Sequence, residues 1–282
     1  MFSGSLVALV TPMKDDGALD FACLERLVDW HIEQGTDGLV IAGTTGEAST
    51  LTKAEHVEVI RVAARRAAGR VPVIAGTGSN STAQTIDLSR AVGELPVDGY
   101  LVVTPYYNKP TQEGLYRHFV SIADAVELPL ILYNVPGRTG VDMQTATVAR
   151  LAAHPGIIGI KEATGDLDRL QPLREACGDD FLLFSGDDAT GCEFMLQGGQ
   201  GVISVTSNVA PALMAEMCQA ALSGDRQRAT EIDERLAGLH QELFVESNPI
   251  PVKWALERLG LIPGGLRLPL TALGSACRPR VE

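Results

Sequence analysis

Two runs, Leu130-Ile131-Leu132-Tyr133 and Ile157-Ile158-Gly159-Ile160-Lys161, with a helix-like segment between them, decide how this chain is read. Each run is apolar at successive positions, the pattern of a strand covered on both faces. Six runs of the same kind fall at 6–10, 38–42, 71–75, 99–103, 181–185 and 201–205. The eight recur roughly every 20 to 30 residues, which predicts repeated βα units in a parallel sheet. Eight units favour a closed (β/α)8 TIM barrel over a doubly wound open sheet.

The intervening segments carry helix signals. Leu24, Leu27, Val28 and Ile32 share one helical face, and Gly35 supplies a stop. Thr52 with Glu55 and Ser81 with Gln84 have capping-box spacing. After the eighth run, 212–222, 229–243 and 252–259 read as helices. The chain is therefore expected to divide into a catalytic barrel over 1–224 and a C-terminal helical region over 225–282.

A length of 282 residues with 45% hydrophobic content suffices for a large core. The formal charge of -12 opposes association with nucleic acid or anionic membranes, and neither is expected as a partner. The cysteines Cys23, Cys177, Cys192, Cys218 and Cys277 are odd in number and form no C-x-x-C pair, which points to a reducing compartment. The start of the chain reads as a strand rather than a secretory leader, and no stretch has the length of a membrane span, so a cytoplasmic location is expected. The five histidines make no H-x-x-x-H or H-x-H pair, giving no support for a metal site. The glycines 198, 199 and 201 lie before or at the start of the eighth run, the wrong end for a barrel phosphate site.

A parallel barrel places its chemistry where strands end. Those positions hold Gly43-Thr44-Thr45-Gly46-Glu47, Tyr106-Tyr107, Tyr133 with Arg138 in the following loop, Lys161-Glu162 and Ser185-Gly186-Asp187-Asp188. Lys161 is the sharpest of them. Burial disfavours its ammonium form, and lowering a lysine pKa from 10.4 to roughly 7 raises the neutral, imine-forming fraction about a thousandfold. Alternatively, Lys161 snorkels to solvent or pairs with Glu162. Tyr133 ends the neighbouring strand and is placed to shuttle protons to that amine, with Thr44 and Tyr107 as relay candidates. Thr45 and the glycine-rich backbone around it can hold a carboxylate, and the Arg138 fork a second one.

Together these segments resemble the dihydrodipicolinate synthase family, within the pyruvate-lyase superfamily that includes N-acetylneuraminate lyase. The likeness runs from about Ser3 to Leu270 and is carried by GTTGE at 43–47, PYYNKPTQEG at 105–114, YNVPGRT at 133–139, GIKEATGD at 159–166 and SNPIPVKW at 247–254. It implies a class I aldolase-type lyase that condenses pyruvate with L-aspartate 4-semialdehyde to 4-hydroxy-tetrahydrodipicolinate, in the diaminopimelate and lysine pathway, without cofactor or metal. The resemblance makes Lys161 the Schiff-base residue and Tyr133, Thr44 and Tyr107 the proton relay. Thr45 and the Ile203 backbone would then contact pyruvate, Gly186 would line the same pocket, and Arg138 would hold the semialdehyde carboxylate. It further implies a homo-oligomer, a tetramer built as a dimer of dimers, in which Tyr107 enters the neighbouring subunit's site.

Ala48, Ser49, Lys53, His56, Asn80, Gln84 and Tyr106 match the positions at which members of the family bind inhibitory lysine. Gln84 stands where a glutamate receives the effector's ammonium, and Lys53 adds a cation, so weakened inhibition is expected. The C-terminal 271–282 is short and polar where members usually finish with another helix. Two other functions fit the residues: another pyruvate aldolase, such as a sialic-acid or keto-deoxy-sugar lyase, and a non-catalytic barrel that senses a small carboxylate.

Overall fold

The computed structural model describes residues 2–282. Eight strands, β1 (Gly4–Ala8), β2 (Gly38–Ile41), β3 (Val73–Gly76), β4 (Gly99–Val103), β5 (Leu130–Asn134), β6 (Ile157–Glu162), β7 (Leu182–Ser185) and β8 (Gly201–Ser204), form a closed barrel in chain order. All neighbours are parallel, and β8 returns to β1 through Gly4↔Gly201 and Leu6↔Ile203. That pairing removes the open-sheet alternative. Closure is tight: a Cβ on Gly201 would lie 2.4 Å from the Gly4 carbonyl oxygen, so this seam admits only glycine.

The continuous apolar runs follow from period-two alternation with both sides covered. Leu6, Ala8, Val40, Ile74, Leu101, Ile131, Tyr133, Phe184 and Ile203 pack inside the barrel. Val7, Leu39, Ile41, Ala75, Val102, Leu130, Leu132 and Ile160 pack outward against the helices. At about 25 cal/mol per Å² of apolar surface, these two layers supply the main drive for folding.

Strand ends differ from the sequence reading for identifiable reasons. β1 starts and stops two residues early because Leu9 and Val10 are buried in the following turn, where Val10 N–H donates to Asn208 Oδ1 and Asn208 Nδ2 donates to the Ala8 carbonyl. β5 and β6 each run one residue further, to Asn134 and Glu162, because these polar side chains are mutually satisfied: Asn134 Nδ2 donates to Glu162 Oε2 at 3.0 Å. Thr52 and Glu55 make both halves of a capping box. Ser81 makes only one half, because the Gln84 side chain accepts from Ser79 Oγ instead.

After β8 come helices Pro211–Leu222, Arg226–Glu242, Ile250–Arg258 and a single turn, Arg278–Val281. Pro211–Leu222 and Arg226–Glu242 share one buried cluster with β8 through Val202, Met214, Met217, Ile232 and Leu236. Val252, Leu256 and Ile262 enter the main core beside the barrel residues. The segment from Phe244 to Lys253 passes over the C-terminal mouth of the barrel, where Asn248 and Lys253 bond to the loop after β2.

Candidate active site

Tyr133 and Lys161 are directly paired in register across β5 and β6, one residue before each strand ends. Equal register and equal parity send both side chains to the barrel interior. There they line a cavity of about 160 Å³ with Thr44, Thr45, Arg138, Gly186, Asp187, Val205 and Asn248. Thr44 and Thr45 enter from the loop after β2, Arg138 from the helical turn Pro136–Thr139 after β5, and Gly186 from the loop after β7.

Lys161 is 5% exposed. Burial lowers its pKa to about 8, and the Arg138 charge pushes the same way, whereas the Asp188 carboxylate partly opposes the shift. A pKa of about 8 leaves about 10% of the amine neutral at pH 7, hundreds of times more than an unshifted lysine. The Lys161 nitrogen lies 4.6 Å from the Tyr133 ring centroid, over the ring face rather than at the phenol oxygen. Tyr133 is itself buried; desolvation raises its pKa, while Arg138 and the Thr44 hydroxyl lower it. Thr44, Tyr133 and Arg138 therefore form one electrostatic group around the amine.

Gly186 is a close approach. A Cβ there would stand 2.6 Å from Ala163 Cβ and 2.7 Å from Lys161 Cε, so the glycine makes room for the lysine side chain. Asp188 is 2% exposed, and its Oδ2 accepts from the Val205 and Thr206 N–H groups, which holds the negative charge that Lys161 senses.

The structure gathers Lys161, Tyr133, Thr44, Thr45, Arg138 and Gly186 around one cavity. The Ile203 side chain packs in the barrel interior, and Val205, two residues on, lines the cavity wall. Tyr107 is 89% exposed, with φ +73, outside its own chain's cavity. Asn248 was missed. It is buried, lines the cavity, donates from Nδ2 to Thr45 Oγ1 at 2.9 Å, and offers its carbonyl to Arg138 Nη2 at 3.2 Å. The signal was the SNPIPVKW segment, whose polar Asn248 precedes an apolar helix start.

A second, more open cavity of about 630 Å³ adjoins the first through Thr44, Tyr133 and Arg138. Ala48, Ser49, Lys53, His56, Gln84 and Tyr106 line it, with Asp87. Asn80 lies beside it, its carbonyl accepting from Asn108 Nδ2. Lys53 does not stand free, since its ammonium is 2.5 Å from the Asp87 carboxylate. His56 is buried against the Gly76 carbonyl, and desolvation lowers its pKa.

Among the described residues no group of three or more His, Cys, Asp or Glu side chains is placed to hold a metal ion. No helix among them is long and apolar enough to cross a membrane.

The chain is 62% identical to the 4-hydroxy-tetrahydrodipicolinate synthase of Methylococcus capsulatus, over 100% of this chain and 97% of that one. The fold superposes with a TM-score of 0.98, at 56% identity and covering 100% of this chain and 97% of that one, on the chloride-inhibited dihydrodipicolinate synthase of Acinetobacter baumannii complexed with pyruvate. The Cyanidioschyzon merolae enzyme with lysine bound gives 0.96 at 42% identity, over 99% of this chain and 96% of that one. A model of the dihydrodipicolinate synthetase family matches residues 1–282. With an amine, a phenol, two threonine hydroxyls and a guanidinium gathered at the mouth of its barrel, the chain belongs to the dihydrodipicolinate synthetase family.

Proposed function

We propose that Lys161 forms a Schiff base with pyruvate and that the resulting enamine attacks L-aspartate 4-semialdehyde, giving 4-hydroxy-tetrahydrodipicolinate without a metal or organic cofactor. The chain is a lyase-type enzyme of lysine and diaminopimelate biosynthesis. The observation that carries the mechanism is a buried amine with a pKa of about 8, facing a cavity that it shares with Tyr133 and Thr45.

Neutral Lys161 adds to the ketone carbon of pyruvate, whose carboxylate rests against the Thr45 hydroxyl. Tyr133 delivers the proton that lets the carbinolamine lose water, and the protonated imine then draws electrons as the methyl carbon releases a proton to the relay. Thr44 links Tyr133 to solvent, with Tyr107 of a neighbouring chain completing the relay. The enamine carbon bonds to the aldehyde carbon as the C=O π bond opens, the aldehyde oxygen takes a proton from the relay, and Arg138 holds the second carboxylate. The substrate's own amine then displaces Lys161 from the imine carbon, closing the ring and restoring the enzyme.

Tyr107 is exposed beside half-exposed Tyr106, which supports a role across an interface of a homo-oligomer assembled as a tetramer from two dimers. The enzyme works in the cytoplasm. Lysine inhibition is weakened because Gln84 offers an amide where a carboxylate would hold the effector's ammonium. The decisive experiment is borohydride reduction in the presence of pyruvate followed by peptide mass mapping. The adduct is expected on Lys161; labelling elsewhere, or none, overturns the mechanism.

A further inference from the structure

We propose that Asn248, a residue outside the barrel, is a positioning residue that aims the Thr45 hydroxyl proton at the carboxylate of pyruvate. This rests on the reading of Lys161 and Thr45 given above.

A threonine hydroxyl has one proton to donate and lone pairs to accept with. Asn248 Nδ2 donates to Thr45 Oγ1 at 2.9 Å, with both side chains buried, so that bond uses an acceptor position on the hydroxyl. The proton of Thr45 is thereby left for another acceptor, and the cavity that both residues line is where one arrives. The donor is itself fixed. Five residues on, Lys253 Nζ donates to the Thr11 carbonyl and to Glu47 Oε1, locking the helix Ile250–Arg258 onto the same loop that carries Thr45. The Asn248 carbonyl meanwhile receives Arg138 Nη2, so substituting the side chain leaves the second carboxylate site its partner.

The consequence separates positioning from mere support. Asn248→Asp preserves shape but reverses the bond: the new carboxylate accepts the Thr45 proton and faces an anionic substrate. A structural role makes the Asp variant the milder change, whereas the positioning role makes it the harsher.

The test is borohydride trapping of Lys161 as a function of pyruvate concentration in the full-length protein, read as the half-saturating pyruvate concentration. Misfolded protein lowers the amplitude and leaves that concentration unchanged. Asn248→Ala is expected to raise it about three- to tenfold, and Asn248→Asp by more than about tenfold. The KM for the semialdehyde is expected to stay within about threefold in Asn248→Ala, because the carbonyl to Arg138 remains. In a Thr45→Val background, Asn248→Ala is expected to add nothing further, since its effect passes through the hydroxyl. Additive effects of the two substitutions, or an Asp variant no worse than the Ala variant, overturn the proposal alone. Absence of any pyruvate adduct in the unsubstituted enzyme overturns the underlying reading as well.

Discussion

Lys253 Nζ lies 2.5 Å from Glu47 Oε1, both side chains sealed from solvent, and this pair joins the loop after β2 to the helix Ile250–Arg258. Glu47 also accepts from the Arg267 N–H, and Lys253 from its side donates to the Thr11 carbonyl. Removing one partner strands the other as a buried charge, which costs about 3–5 kcal/mol. Lys253→Met is therefore expected to lower stability by that amount at fixed protein concentration, measured by denaturant unfolding. Replacing both residues by apolar ones of similar volume is expected to recover much of the loss. A single variant as stable as the parent refutes the importance of the pair.

Most of the barrel was legible in the sequence because burial on both faces makes each strand apolar at every position, as in 130–133. The buried amine was legible for a related reason: Lys161 breaks such a run one residue from the end of its strand. Strand limits were less so, since Leu9 and Val10 are as apolar as the strand before them yet are buried in a turn fastened by Asn208. The pairing of Asn248 with Thr45 was not legible, because the two lie 203 residues apart in the chain and only the fold brings them together. Ser81 has capping-box spacing, but Ser79 captures the Gln84 side chain.

Lys161 makes a linked prediction about pH. Its folded pKa of about 8 lies below the unfolded value of 10.5, so folding expels a proton from it only between those two pH values, and at pH 7 the folded chain buries the charged amine and bears the cost. The cost is fully present below pH 8 and vanishes as pH rises from 8 towards 10.5. At 1.36 kcal/mol per unit the shift amounts to about 3 kcal/mol. Lys161→Met is thus expected to abolish pyruvate trapping while raising stability at pH 7, with the gain shrinking above pH 8. In the parent enzyme the trapping rate at low pyruvate is expected to climb through about pH 8. A rate independent of pH between 6.5 and 9 (about one unit or more on each side) contradicts the assigned pKa.

Gly186→Ala tests how closely the amine is aimed. The added methyl meets Ala163 Cβ at 2.6 Å, which cannot yield as a flexible chain end can, and it pushes on Lys161 Cε. Displacement of a reacting atom by about 1 Å can cost about a hundredfold in rate. The variant is expected to lose at least about tenfold in kcat with a smaller change in unfolding midpoint. Unchanged kcat in the folded variant shows that the loop gives way without moving the amine.

If lysine binds in the second cavity, sensitivity to it is expected to depend on Gln84 more than on Lys53. The Lys53 charge is offset by Asp87 at 2.5 Å, and both side chains are more than half exposed, so its repulsion of a second ammonium is weak. Gln84 instead lacks a charge altogether. Gln84→Glu is expected to lower the half-inhibitory lysine concentration about tenfold, and Lys53→His to change it by about threefold or less. Initial rates at fixed substrate read both. Complete inhibition of the unsubstituted enzyme below about 1 mM lysine contradicts the weakened site.

Tyr107 allows the assembly to be tested through the chemistry. At 89% exposure it lines neither of the two cavities described above. If it enters a neighbour's site, a Lys161→Arg chain and a Tyr107→Phe chain, each nearly inactive, rescue one another when mixed. The hybrid dimer carries one site with an intact Lys161 from the second chain and an intact Tyr107 from the first, while its other site lacks both. Equal mixing makes half the dimers hybrid, so activity returns to about a quarter of the parent's after subunit exchange. If Tyr107 acts within its own chain, each hybrid site keeps a single defect and mixing restores nothing. Exchange confirmed by mass, together with no regain of turnover, therefore rules out the shared site.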